Sequence, residues 1–530
     1  MPADNVKTLI VATWGDPRNW SSVKYRVKGL EKEGEKEEVL EGKCSLLPLM
    51  LKAGCDARAI VVVADTLFST FEEEQPRAWA NIEERVRNKV KLYWESFVES
   101  SKVNGVELSS DTKDRLKNSV EVVVCPGLGR YKFGDFLFEF RGSLELFMST
   151  ILLHVLERAL GMGRACELWL DLSHGVNYMP SAALIAVSKV GRILSFLAKR
   201  NEVKLRVFNS DPYSRGVDEL FINEMELSLG VNQLTQPDID VDGNNLVKVV
   251  YDLLERPDTL FGRNFRSEAR SLLKLKGYAE RISSVLKVYK DLWFSASYCL
   301  PLLALHRVNE ELSGQSFFTL IDLVKTVRET FYEILRSVKV TREDKILTMD
   351  TANTIDPGRW RLLDTLFEVY AVIERLYEVR EWFKPLDRGG RYGFRLSDVM
   401  KLVECHLQRT APVGINFIGR EVQEILRYVS VLEGKGIPLD SWRLYDDLKD
   451  LYDDLKKEAS KCKEELKTVD ERLEENFHGL TLAEWMRMRT LVRYREDFTP
   501  NFSDRNFLAH LGLTYRDIEV YYENLSKIHT

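Results

Sequence analysis

The chain is expected to join two fold classes: an α/β amino-terminal half built on a mostly parallel, doubly wound sheet, and an all-α carboxyl-terminal half. Three observations predict this. Five short apolar runs, Thr8–Thr13, Ala59–Ala64, Val120–Cys125, Glu167–Asp171 and Leu205–Asn209, are rich in Val, Ile and Leu without polar alternation, as strands buried on both faces should be. Stretches of helical period lie between them, among them Arg141–Leu160 and Ser181–Arg200, and repeated β-α units favour parallel pairing. Beyond Gly230 the strand-like runs stop.

Residues Asp218–Ser228 could add edge strands, and 1–230 then form one domain. The stretch Asn232–Asn245, with its Gln, Pro, Asp and Gly, opens a linker taken as 231–300. Helical period is read at Ala269–Leu286, Ser316–Ser337, Trp360–Lys384, Leu396–Arg409, Glu421–Glu433, Leu439–Glu475, Leu482–Arg495 and Thr514–Lys527, so 301–530 is expected to be a helical domain. Within it, 441–475 is a charged helical insertion carrying eight Lys/Arg against twelve Asp/Glu. Leu444, Leu448, Leu451 and Leu455 keep an apolar stripe there, which suits a solvated helix packed on a partner. Pro385–Gly393 reads as a loop whose two arginines and glycine pair could meet a phosphate, but a solvated turn explains them better.

At 530 residues the chain is too long for one core. Its 45% hydrophobic and 30% charged residues are those of a soluble globular protein. A net charge of −6 excludes a generally basic nucleic-acid coat, so any nucleotide site must be a local patch. Seven scattered cysteines without a Cys-x2-Cys pair argue against structural zinc and against a disulfide framework, and fit a reducing cytoplasm. No apolar run reaches the ~20 residues of a membrane span, and the first residues lack signal-peptide architecture.

The richest motif of the first half runs from Asp171 through Ser173, His174, Gly175 and Asn177 to Pro180. It follows a buried strand and opens a helix, where open α/β sheets bind ligands. Gly175 permits close backbone approach, and Ser173, His174 and Asn177 can bond a ribose, base edge or phosphate. The loop after the first strand adds Trp14 as a stacking surface, Gly15, Asp16, and Arg18 as a phosphate contact. A third loop after Cys125 adds Gly127 and Gly129. Asp171 more simply fixes its own loop by accepting from backbone N–H groups. Near the end of the chain, Arg505, Asn506 and His510 fall at the start of an expected helix that Ser503 or Asp504 can cap and Gly512 can stop. Arg505 is a permanent cation with a fork suited to phosphate; His510 can move a proton near neutrality.

Asp171-x-Ser173-His174-Gly175-x-Asn177-Tyr178 resembles the D-x-[ST]-H-G motif of CARF domains, the CRISPR-associated Rossmann-like sensors, with Ser173 in place of the commoner Thr. Arg505–His510 resembles the R-x4-H signature of HEPN ribonucleases. Together the two halves are similar to the CARF–HEPN ribonucleases that accompany type III CRISPR systems. The resemblance implies a cyclic oligoadenylate, the tetra-adenylate first among candidates, bound where two CARF domains meet. It implies a homodimer or a multiple of dimers, since a ring with rotational symmetry matches a C2 interface. It implies no cofactor beyond this activator, no metal, no membrane and a cytoplasmic location.

The implied reaction is cleavage of single-stranded RNA by its own 2′-OH, leaving a 2′,3′-cyclic phosphate. Arg505 stabilises phosphoryl charge, Asn506 orients it, and His510 is general acid or base. Five residues set Arg505 and His510 roughly 140° apart around a helix, which two pairs facing across a dyad would repair. Three alternatives stand beside this: a dinucleotide-dependent oxidoreductase, disfavoured because the first β-α turn lacks G-x-G-x-x-G; a non-catalytic CARF regulator; and a ring nuclease whose CARF site degrades its own ligand.

Overall fold

The computed structural model describes residues 7–225 apart from a few short stretches, 300–311, 319–352, much of 367–495, and residues 513 and 518–522. The expected linker, most of Trp360–Lys384 and the segment holding Arg505, Asn506 and His510 lie outside the described residues.

Along the chain, strand β1 (Lys7–Trp14) is followed by β2 (Val23–Val27), β3 (Leu40–Gly42), helix α1 (Leu46–Ala53), β4 (Arg58–Ala64), the short α2 (Phe68–Phe71) and α3 (Trp79–Ser100). Next come β5 (Lys102–Val103), β6 (Val106–Glu107), α4 (Ser110–Asn118), β7 (Val120–Cys125), β8 (Leu128–Phe133), β9 (Phe136–Arg141) and α5 (Leu144–Met162). Strand β10 (Cys166–His174), α6 (Met179–Leu197), β11 (Lys204–Ser210) and β12 (Glu219–Met225) complete the first stretch. Helices α7 (Pro301–Glu311) and α8 (Leu320–Ser337) precede the hairpin β13 (Val340–Glu343) and β14 (Ile346–Asp350).

The large sheet has the order β6-β5-β3-β2-β12-β11-β10-β1-β4-β7. Its centre, β11-β10-β1-β4-β7, is parallel throughout and consists of the five apolar runs seen in the sequence. In β1 every residue after Lys7 is buried, and in β4 every residue after Arg58, so apolar side chains fill both faces. The edge is antiparallel except where β12 runs parallel to β2. Helix α6 is long and apolar enough to cross a bilayer, with a mean hydropathy of 1.3. It packs instead on α5, β1 and β10, and Ala182, Ala183, Val187, Val190 and Leu194 are at most 1% exposed.

A second, four-stranded sheet, β13-β14-β9-β8, has no counterpart among the expected elements. Strand β14 pairs parallel to β9 across some two hundred residues of sequence. Phe138 stacks on Phe140 at 4.3 Å, and Phe68 lies 5.7 Å from Phe133. Helix α8 packs on α5 and α3; its Arg328 pairs with Glu157, and the Tyr332 hydroxyl donates to the Val124 carbonyl at 3.3 Å. The described residues between 319 and 371 therefore belong to the same compact unit as 7–225, and not to the carboxyl-terminal domain expected from 301.

The second unit comprises α7 and the described residues from 374 onward. It holds β15 (Leu386–Arg388), β16 (Arg391–Arg395), α9 (Leu396–Cys405), α10 (Gly414–Gly434), β17 (Arg443–Leu444) and α11 (Tyr445–Cys462). The short hairpin β18 (Asn476–Phe477) and β19 (Leu480–Thr481), α12 (Leu482–Arg489), β20 (Thr490–Tyr494) and β21 (Ile518–Tyr522) follow. The all-α expectation is corrected here by an antiparallel five-stranded sheet, β15-β16-β20-β21-β17. The expected helix Leu482–Arg495 ends at Arg489, and Thr490–Tyr494 is a strand in which only Arg493 is not fully buried. The expected helix over Thr514–Lys527 contains the strand Ile518–Tyr522. Both segments are β-branched and aromatic, and cross-strand packing decides such short runs. Pro385–Gly393 is a hairpin closed by Gly390 at φ +78°, not an irregular loop.

One buried carboxylate ties three elements of the first unit together. Asp65, 1% exposed at the end of β4, accepts from the Gly127 N–H at 2.8 Å and from the Trp79 indole N–H at 3.0 Å. Burial pushes its pKa up to about 7. Folding thus favours the protonated form, so its contribution to stability is present below about pH 4 and is lost as pH rises to about 7. Asp65→Asn should remove this dependence. Melting temperatures compared at pH 5 and pH 8 should move in favour of the variant at the higher pH; an identical gap at both would contradict the assignment.

Candidate functional site

The carboxyl ends of β1, β4, β7, β10 and β11 form one rim, and the sequence motifs fall on it. Strand β10 ends in Asp171-Leu172-Ser173-His174, and α6 begins five residues after His174. The Asp171 carboxylate, 1% exposed, is an anchor. It accepts from the Ser45 hydroxyl at 2.6 Å, the Ser173 N–H at 3.0 Å and the Ser173 hydroxyl at 2.6 Å. The Ser173 oxygen in turn accepts from the Ser210 N–H at 2.9 Å, which pins the end of β11. Ser173 is thereby engaged as both donor and acceptor within the protein.

His174 is also held. Its Nε2 accepts from the Ser45 N–H at 3.1 Å, so the proton of the neutral ring is on Nδ1. The Tyr25 hydroxyl lies 3.5 Å from the same nitrogen. Burial lowers the His174 pKa, against a smaller opposing pull from Asp171, and the ring is neutral near pH 7. Trp20 stacks on it with centroids 4.0 Å apart and planes at 24°. The imidazole therefore has a fixed tautomer and a fixed plane.

Trp14 does not present a stacking face. Its side chain is fully buried against Trp20, Trp94 and Phe97, because it continues the buried run of β1. The half-buried Trp20 is the aromatic at this position of the rim. Arg18 is exposed, yet it is folded back on Asp16: Nε and Nη2 contact that carboxylate at 3.0 and 2.7 Å, and Nη1 donates to the Thr70 carbonyl at 2.6 Å. Asp16 also accepts the Arg18 N–H at 3.1 Å, capping the short turn Pro17–Asn19. The two form a closed ion pair in place of two separate ligand contacts.

The glycines serve packing between loops. A Cβ on Gly175 would lie 2.3 Å from the Thr13 hydroxyl and 2.6 Å from Pro180, and one on Gly127 would lie 2.8 Å from Thr66. Gly15 donates its N–H to the His174 carbonyl at 2.8 Å. Gly129 falls within β8 at φ +131°. Among the expected ligand residues, Gly129 and Asn177 are the exposed ones outside this bonded set; Asn177 adopts φ +52° beside Val176, which is 49% exposed.

Sequence reasoning missed Ser45, Tyr25 and Asp65. Asp65 had a usable signal, a carboxylate directly after a wholly apolar strand. Ser45 and Tyr25 had none, for each comes from an element too short or too irregular to place on the rim. Among the described residues no group of three His, Cys, Asp or Glu side chains could hold a metal ion.

Two comparisons bear on this rim. Residues 9–212 match the family model for the CARF domain of the CRISPR system endoribonuclease Csx1. Over 346 residues the chain is 27% identical to the CRISPR system endoribonuclease Csx1 of Methanocaldococcus jannaschii, an alignment covering 64% of this chain and 62% of that relative. The chain thus spans a little under two thirds of the relative's length. The family match contains β1 through β11, with the Asp171–Asn177 motif at the strand ends. The strand-end rim of residues 9–212 is thus similar to that of the Csx1 CARF domain, and the chain as a whole resembles a CRISPR-associated CARF protein.

Proposed function

We propose that the chain is an accessory endoribonuclease of type III CRISPR systems, switched on by a cyclic oligoadenylate at the strand-end rim of its CARF domain. The observation that carries this reading is the match of residues 9–212 to the Csx1 CARF domain, together with the relative named an endoribonuclease. In this reading Arg505 stabilises charge on the scissile phosphate, Asn506 orients it, and His510 transfers the proton as the 2′-OH attacks. DNA lacks that hydroxyl and is not a substrate. Ring and chain both favour a homodimer, because a twofold axis offers a symmetric ligand the same patch twice. Ser173 and His174 are committed to bonds inside the protein, so neither is poised as nucleophile or base toward a bound ring, which disfavours ligand degradation at this rim.

The test is incubation of purified protein with labelled single-stranded RNA in EDTA, with and without cyclic tri-, tetra- and hexa-adenylate. Cleavage dependent on one ring, ending in a 2′,3′-cyclic phosphate, is the expected result; no cleavage with any ring would overturn the reading. Arg505→Ala and His510→Ala should each reduce the rate about 10²–10⁴-fold or more while leaving ring binding unchanged. Cleavage at the wild-type rate by either would remove that pair from the chemistry.

Rim variants should separate two roles. Asn177→Gly, which keeps the left-handed backbone at φ +52° accessible, is expected to raise the ring concentration needed for half-maximal activity with little change in maximal rate or melting temperature. Ser173→Ala should instead lower stability by about 1–3 kcal/mol, because it removes a donor from a buried carboxylate and an acceptor from the Ser210 N–H. Denaturant titration distinguishes them, and a fully stable Ser173→Ala would contradict the anchoring role.

A further inference from the structure

The second unit contains a cavity of about 520 Å³ lined by α7, the β15–β16 hairpin and the end of β20. Arg307, Arg391, Arg493 and Arg495 converge on it, beside His306, Tyr392 and Tyr494. None of the described lining residues is acidic. The Glu519 side chain on β21, 13% exposed, pairs with two of these arginines, Arg391 at 3.2 Å and Arg493 at 2.6 Å. Four arginines thus line one cavity in a chain whose net charge is −6, two of them already ion-paired with Glu519.

The hairpin that lines the cavity packs closely on Trp442. A Cβ on Gly393 would meet the Trp442 ring at 2.2 Å, so the hairpin closes onto that indole. Trp442 donates to the Arg388 carbonyl at 2.9 Å and lies 5.4 Å from the Arg493 guanidinium. His306 packs edge-on to Tyr494 at 5.5 Å. Burial, and after it the neighbouring Arg307 and Arg493, bring its pKa down to about 4. Tyr392, 63% exposed, stands at the mouth.

We propose that this cleft binds the phosphodiester backbone of single-stranded RNA, with the four arginines facing phosphates and Tyr392 stacking on a base. The guanidinium fork matches phosphate oxygens, and a concave cluster of one sign focuses its field on an anion. An aromatic ring beside a basic groove is the pairing that holds single strands without reading their sequence. The inference rests on the ribonuclease reading above and names where its substrate lies.

The probe is a labelled 2′-O-methyl single-stranded oligonucleotide, which binds but cannot supply the attacking hydroxyl. Its affinity for the full-length protein is measured over a range of salt. Arg391→Gln with Arg495→Gln should weaken binding about tenfold and flatten the salt slope by about 0.7 for each phosphate no longer neutralised. Tyr392→Ala, at an exposed side chain that cannot unfold the unit, should weaken binding with the slope unchanged. Affinity and slope equal to wild type in both would overturn the proposal. So would poly-glutamate binding as tightly as the oligonucleotide, or variants that lose cyclic tetra-adenylate in calorimetry while keeping RNA. If wild type binds the oligonucleotide through these residues but cleaves unmodified RNA with no ring, the cleft stands and the ring-activated ribonuclease reading falls.

Discussion

The ligand rim depends on one buried carboxylate. Asp171, at the end of the central strand β10, takes hydrogen bonds from the Ser45 hydroxyl and from both the N–H and the hydroxyl of Ser173. A charge in that position is tolerated only because donors replace its lost water. Each donor belongs to, or leads to, a different part of the rim. Ser45 precedes α1 and also supplies the N–H that fixes His174; Ser173 passes the connection to Ser210 at the end of β11. Without the carboxylate, the ends of β10 and β11 and the start of α1 would have no common partner.

This changes which groups can meet a ligand. Ser, His and Gly in such a motif invite assignment as direct contacts, because each could bond a nucleotide. In the folded protein their polar atoms are largely spent on one another, and the glycines make room for neighbouring loops. What the rim offers outward is a half-buried Trp20, an exposed Val176 and an Asn177 in a left-handed conformation between strand and helix. The motif thus acts chiefly by fixing backbone.

The parallel centre of the first unit was legible because burial on both faces leaves an unambiguous pattern: β7 has the same bounds as the apolar run that announced it, and β1, β4, β10 and β11 differ from theirs by one to three residues. The short antiparallel strands β2, β3, β5 and β6 were not legible, since strands of two to five residues carry too little periodicity. Nor was the pairing of β14 with β9, which no local pattern encodes. Trp14 was misjudged for a related reason. It is the last residue of a buried strand as well as the first of a rim loop, and the strand decides where its ring goes. The candidate catalytic segment at Arg505–His510 is supported by motif and resemblance alone.

The second unit shows why mistaking strand for helix matters beyond the fold class. As a helix, Leu482–Arg495 would carry Arg493 and Arg495 roughly 200° apart around its axis, and neither would have a fixed relation to Arg391, about a hundred residues earlier. As strand β20, the segment pairs directly with β16 on one side and β21 on the other. That pairing brings Arg493 level with Glu519 on β21, and Glu519 reaches Arg391 from the same position. Like charges this close would repel and destabilise the sheet edge. Glu519, its side chain 13% exposed, offsets that repulsion by pairing with both Arg391 and Arg493. It is the strand register that brings arginines scattered through the sequence to one side of a single cavity.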